Sequence, residues 1–165
     1  MADFGRGVKA GAVSGLIYGI ISGIISAIVI ATLWDTIVET TSQLSGYTGT
    51  YDISGLMIFM LPMAIVMGII VGIIAGIIFG LIYAAIYNSL PGSSSVIKAM
   101  ILALIFWIIF NVALGYSSMA TYGMMYYAVI SIVLGLITSL IWGWLLGVFW
   151  ERFGGKKEVQ KTEGV

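Results

Sequence analysis

The sequence predicts an all-α protein: an integral-membrane four-helix bundle, packed by glycine zippers, with both termini in the cytoplasm. Three observations predict it. Apolar residues make up 61% of the chain and charged residues 8%, a balance far from that of a soluble domain. The apolar residues gather into four runs of about 20 residues or more, the length that crosses a hydrocarbon core. Three of those runs carry a small residue at every fourth position. Gly7, Gly11, Gly15, Gly19 and Gly23 form one file, continued by Ala27 and Ala31. Gly68, Gly72, Gly76, Gly80 and Ala84 form the second, and Ser131, Gly135, Ser139, Gly143 and Gly147 the third. Residues four apart lie along one ridge of a helix, so each file is a strip nearly free of side chain. In water each glycine would weaken a helix by about 1 kcal/mol relative to alanine. In lipid the backbone must bond to itself, and such strips let helices approach closely.

The first span is expected over 8–33. Arg6 and Lys9 flank its start as in a secretory signal, but the apolar run is too long and no cleavage site follows, so an uncleaved helix is expected. From Asp35 to Leu44 the helix can continue into water, with Gly46 as its stop. The second span is expected over 56–87, longer than a bilayer needs, with Pro62 loosening its first turns. Asn88, Pro91 and Gly92 end it, and Ser94 or Ser95 can cap the third, expected over 96–114 with Gly115 as its stop. The segment from Tyr87 to Lys98 reads as a specific inter-helix turn. The fourth span is expected over 124–150. Residues 1–150 thus form one four-span domain and 151–165 a disordered cytoplasmic tail.

Basic residues set the orientation. An even number of spans places Arg6, Lys9, Lys98, Arg152, Lys156, Lys157 and Lys161 on one face, and these are all the Lys and Arg residues present. The opposite loops carry Asp35, Glu39 and Asp52. The positive-inside rule therefore predicts a multi-pass protein of the cell membrane with cytoplasmic termini. Aromatic residues are expected to form anchoring belts: Trp34, Tyr47, Tyr51, Tyr116, Tyr122, Tyr126 and Tyr127 outside, and Tyr83, Tyr87, Trp142, Trp144, Phe149 and Trp150 inside. Gly15-Leu-Ile-Tyr18 recurs as Gly80-Leu-Ile-Tyr83, a match that the glycine and isoleucine bias alone can produce.

The chemistry available is narrow. Cysteine and histidine are absent, which removes thiolate and imidazole chemistry. No Asp, Glu, Lys or Arg falls deep inside a span, where proton- and ion-coupled carriers keep a titrating group. The rotor proteolipids of ATP synthases and the small four-helix multidrug exporters both need a buried carboxylate that this sequence lacks. No catalytic or cofactor-binding constellation is found, and no enzyme activity is expected. Intramembrane polarity is confined to Ser14, Tyr18, Ser22, Ser26, Thr32, Asn111, Thr138 and Ser139. These residues suit hydrogen bonding within the bundle better than a pore lining.

Methionines supply an alternative. Met57, Met60, Met63 and Met67 share a face of the second helix, with Met119, Met124 and Met125 on the same side of the membrane. Thioethers suit Cu(I). Met63-Ala-Ile-Val-Met67 resembles the MxxxM motif of the eukaryotic-type high-affinity copper transporters, over these residues only, and four spans depart from that family's three. The resemblance implies Met60, Met63 and Met67 as a Cu(I) site; methionine is equally an adaptable apolar filler.

The function expected from the sequence is a non-catalytic accessory subunit of a larger membrane complex, with a respiratory or electron-transfer assembly the favoured host. A homo-oligomeric channel or small-solute permease is the alternative. The partners expected are the lipid bilayer and other membrane subunits, with further copies of the chain as the homo-oligomeric alternative, but no nucleic acid. Packing is assigned to Gly11, Gly15, Gly19, Gly23, Gly68, Gly72, Gly76, Gly80, Gly135, Gly143 and Gly147.

Overall fold

The computed structural model describes residues 3–36, 38–39, 54–113, 115–116, 124 and 127–154. Four helices in it are long and apolar enough to cross a membrane, and the protein is a multi-pass four-helix bundle. Helix α1 spans Phe4–Thr32, α2 spans Ser54–Ile86, α3 spans Ser95–Trp107 and α4 spans Gly135–Gly154. A π-helical segment, Ile108–Ala113, extends α3, and a second, Tyr127–Leu134, leads into α4.

Local chemistry sets the ends. The Asp3 carboxylate accepts from the Arg6 amide at 3.0 Å, capping α1. At the other end of α1 the backbone bends at Leu33, and residues 34–36 and 38–39 are helical again. The remainder of the expected extension, with Leu44 and Gly46, lies outside the described residues. α2 runs through Pro62 without interruption. The Ser94 hydroxyl caps α3 by accepting from the Ile97 amide at 3.2 Å. Gly92 has φ +128°, a region that disfavours a side chain, and this lets the α2–α3 connection turn sharply. α4 continues past Trp150, where the expected span ends, to Gly154.

Two glycine files form one antiparallel zipper. A Cβ built on Gly7 would stand 2.5 Å from the Gly80 carbonyl oxygen, and one on Gly68 would stand 2.8 Å from the Gly23 Cα. Between these ends Gly11 meets Gly76 and Gly15 meets Gly72, backbone to backbone. A helix can approach this closely only where the Cβ is missing, and the glycine Cα–H groups then lie against facing carbonyls. The third file joins α4 to α3. Gly143 faces Ala103 and the Ala99 carbonyl, and Gly147 faces Val96 and the Ser95 carbonyl, which a built Cβ would approach to 3.1 Å. α1 also packs on α4, closing the bundle.

Packing is uneven along the membrane normal. Tyr83, Ala84, Ala99, Leu102, Ala103, Trp142, Leu146 and Trp150 are all buried, and they lie toward the end that carries Arg6 and Lys98. At the other end α1 has no buried residue after Gly23, α2 has none before Gly72, and neither π segment has any. The exposed side chains there are large and apolar, as lipid contact requires: Ile28, Leu56, Ile58, Phe59, Met63 and Val66 among them. Among the described residues the bundle is tight at one end and open at the other.

Three of the inner aromatics therefore depart from the expected belt. Tyr83 is fully buried, Trp142 is 6% exposed and Trp150 is 3% exposed, so they pack the core rather than sit at headgroup level. Trp144 does face outward. Tyr47, Tyr51, Tyr122 and Tyr126 lie outside the described residues, as do Asp52, Lys156, Lys157 and Lys161 and the tail from residue 155.

Candidate functional site

Where the bundle begins to open, the four helices line a half-open cavity of about 250 Å³. That is far more than the roughly 10–15 Å³ a single water needs, and enough for one small ring system. Tyr18 comes from α1, and Gly72, Ala75, Gly76 and Phe79 from α2. Ala103, Phe106, Trp107, Phe110 and Asn111 come from α3 and its π extension, and Ser139 and Trp142 from α4.

The helix files explain the location. Gly135 and Gly143 both dock on the α3 side, but Ser139 between them faces the cavity instead. Phe79 holds the gap between α2 and α3. Its ring lies 4.3 Å from that of Phe106 and 5.4 Å from that of Trp142, and together they make an aromatic wall. The half-exposed Phe110 stands at the rim.

Few polar groups reach this space. The Tyr18 phenol lies against the Thr138 hydroxyl. Asn111 belongs to the π segment, and its side chain rests on Gly135, where a built Cβ would come 2.8 Å from Oδ1. The Trp107 indole N–H has no hydrogen-bond partner, like that of Trp150 at the tight end, and neither opens to a water-sized probe. The two π segments pack on each other, and the Tyr127 hydroxyl donates to the Val112 carbonyl at 2.9 Å, tying them beside Asn111. Such i→i+5 segments are mostly single-turn bulges, and they recur at functional sites.

The other intramembrane hydroxyls are turned inward on their own helices. Ser14 donates to the Gly11 carbonyl at 3.1 Å, Ser22 to Gly19 at 3.3 Å and Thr138 to Leu134 at 2.8 Å. Thr32 bonds to Ile28 in the same way, and Ser26 is exposed. The four-residue file from Ser14 to Ser26 therefore lines no common channel.

A second constellation locks the tight end. Arg6 donates from Nε to the Trp150 carbonyl at 2.5 Å, and its guanidinium lies 4.5 Å from the Trp150 ring centroid. Trp150 stacks on Tyr87, and the Tyr83 hydroxyl donates to the Ser95 carbonyl at 2.5 Å. Lys98 donates to the Tyr87 carbonyl at 3.0 Å while its ammonium sits over the Tyr87 ring. The Tyr87–Lys98 turn is thus specific, as its sequence suggests, and it places Arg6, Lys98 and Arg152 at one end.

A family match spans residues 10–161, which includes every cavity and zipper residue beyond Gly7. The chain belongs to DUF6789, a family of unknown function. No curated protein and no solved structure matches it. The features to interpret in this DUF6789 bundle are therefore its own: a closed zipper, an open half and one aromatic cavity.

The metal alternative finds less support in the geometry. Met60, Met63 and Met67 of α2 are all exposed, at 41%, 60% and 48%, and turn away from the cavity walls. Met124 is exposed too, and Met119 and Met125 lie outside the described residues. Among the zipper residues named from the sequence, Gly11 to Gly23 pair with Gly68 to Gly80, while Gly143 and Gly147 serve the α3 contact. Gly135 receives Asn111 instead of a helix backbone. Trp107, Phe79 and Phe106 are cavity residues that sequence reading missed, because indoles and phenyls in an apolar run carry no sign of convergence.

Proposed function

We propose that this DUF6789 protein is a non-catalytic accessory subunit of a larger integral-membrane assembly, with a respiratory or other electron-transfer complex as host. The observation that carries this reading is the contrast between the two halves of the α1–α2 hairpin. Its inner half is sealed by the zipper and by α4. Among the described residues its outer half has no buried side chain and presents Ile58, Phe59 and Met63, each at least 60% exposed. A neighbouring membrane subunit covers such a surface through side-chain packing, the force that joins helices in lipid. The gathering of Arg6, Lys98 and Arg152 at the sealed end supports a cell-membrane orientation with both termini cytoplasmic.

The zipper argues against a homo-oligomeric channel built on the small strips, since both long glycine files are consumed inside one protomer. The permease reading keeps one observation in its favour, the cavity within the single bundle. Purification from native membranes in a gentle detergent, followed by native mass spectrometry, separates the two. Co-purifying redox subunits support the accessory reading. A pure homo-oligomer, or a lone chain at every detergent strength, overturns it.

A further inference from the structure

We infer that the cavity between the four helices is a binding site for an uncharged, flat, carbonyl-bearing lipophile of the quinone class. The inference does not rest on the accessory reading, because a single chain holds every residue it uses.

Three features select the ligand. First, the walls are rings. Phe79, Phe106 and Trp142 form a continuous aromatic surface, against which a planar ring gains offset or edge contacts. Second, the polar groups that face the space are neutral and rich in donors. Asn111 brings an amide with two donor hydrogens and Ser139 a hydroxyl with one, whereas the unpartnered Trp107 N–H is closed to a water-sized probe and does not open into the cavity. Inside a membrane a polar group left without a partner is costly, so the site favours an occupant with acceptor oxygens. Third, no Asp, Glu, Lys or Arg lines the cavity, which disfavours an ion. A ketone or quinone oxygen meets all three conditions: it accepts without carrying charge, and it sits in the plane of a ring.

The cavity also has a route for such a molecule. It lies at the change from tight to open packing, and Phe110 at its rim is 49% exposed. A ring delivered through lipid enters past Phe110, and its alkyl tail stays among the exposed isoleucines outside. The volume matches this division, since about 250 Å³ holds a ring system and leaves no space for a long tail. Asn111 is set in place from behind by Gly135, whose missing side chain gives the amide its seat.

The test uses the full chain in phosphatidylcholine nanodiscs and a photoactivatable azido-benzoquinone with a decyl tail. Crosslinks are mapped by mass spectrometry, with decyl-benzoquinone and decylbenzene as competitors. Saturable labelling near Trp107 and Asn111 is expected, suppressed by decyl-benzoquinone but not by decylbenzene. Ser139→Ala and Asn111→Leu each remove a donor from the cavity wall. Each should raise the half-saturating concentration about fivefold to tenfold, as the loss of one hydrogen bond implies. Ala75→Leu fills the wall without touching a polar group and should abolish labelling while the bundle still melts cooperatively. Labelling that does not saturate, equal competition by decylbenzene, or variants that label like wild type would each overturn the assignment.

Discussion

Gly72 and Gly19 face one another across the α1–α2 contact so closely that a Cβ on Gly72 would lie 2.6 Å from the Gly19 Cα. No side chain can be admitted there without moving a backbone. The obstacle is the rigid core of a facing helix, not the end of a flexible side chain. Gly19→Leu or Gly76→Leu should therefore destabilise the bundle by about 1–3 kcal/mol, the usual range for overpacking, or prevent assembly. Gly55→Ala is the contrast, since nothing lies within 4 Å of the added carbon. It should stay within about 0.5 kcal/mol of wild type. Ile73→Leu should also be mild. Thermal melting in detergent checks all four, and equal melting of Gly19→Leu and Gly55→Ala would remove the zipper from the account.

Arg6 makes both a hydrogen bond and a ring contact with Trp150, joining the first turn of α1 to the end of α4. Both contacts use the planar guanidinium, which an ammonium cannot reproduce. Arg6→Lys should thus behave more like Arg6→Ala than like wild type. The expected cost is about 0.5–2 kcal/mol for a partly desolvated cation over an indole. Hydrogen exchange in the last turns of α4 should rise in both variants. An Arg6→Lys protein with wild-type protection there would show that charge alone holds the contact.

Tyr83 is fully buried, and its hydroxyl donates to the Ser95 carbonyl at the start of α3. Tyr83→Phe leaves the ring packed against Trp150 and removes only that bond, so a loss of about 1 kcal/mol is expected. Tyr87→Phe should cost less, because Tyr87 is only part-buried whereas Tyr83 is fully buried. The order of the two melting temperatures is the measurement, and a larger loss for Tyr87→Phe would reverse the assignment of the key bond.

The four spans and the three small-residue files were legible in the sequence because a spacing of four maps directly onto a helix ridge. Their pairing was not. A glycine file offers the same surface after a slide of one turn, so Gly15 on Gly72 and Gly15 on Gly68 look alike until aromatic contacts such as Phe79 with Trp142 choose between them. The capping serine, Ser94, was legible for the same local reason as the spans. The π segments were not, since Ile108–Ala113 reads as ordinary helix, and its register depends on where Asn111 meets Gly135. Tyr18, Asn111 and Ser139 were visible as intramembrane polar residues. Their meeting with Trp107 in one cavity depends on four helices at once, which no single-helix pattern encodes.

Sidedness can be read with single cysteines in the native membrane. Ser93 is exposed in the α2–α3 turn, and Asp35 is exposed beyond the far end of α1. With the positive-inside orientation, Asp35→Cys should react with an impermeant maleimide on intact cells, as should cysteines placed at Ser45 and Ser118. Ser93→Cys and Thr162→Cys should react only after permeabilisation. Outside labelling at Ser93 with inside labelling at Asp35 would invert the protein, and labelling of Ser93 and Thr162 from opposite sides would break the four-span topology.

Copper gives the last prediction, and it is negative. Met57 to Met67 cover roughly 15 Å of helix at about 1.5 Å rise per residue, so one helix brings at most two adjacent sulfurs to a single ion. A Cu(I) site of thioethers needs a third, and Met60, Met63 and Met67 all point outward. No other helix of the same protomer stands in front of them among the described residues. The same outward placement suits lipid or a neighbouring subunit, which flexible thioethers pack against readily. Protein purified under reducing conditions and supplied with Cu(I) should therefore retain no stoichiometric metal after desalting. Retention of about one Cu(I) per chain that Met63→Leu abolishes would require the third ligand to come from Met119, Met124, Met125 or a second protomer, and would make metal handling the leading function.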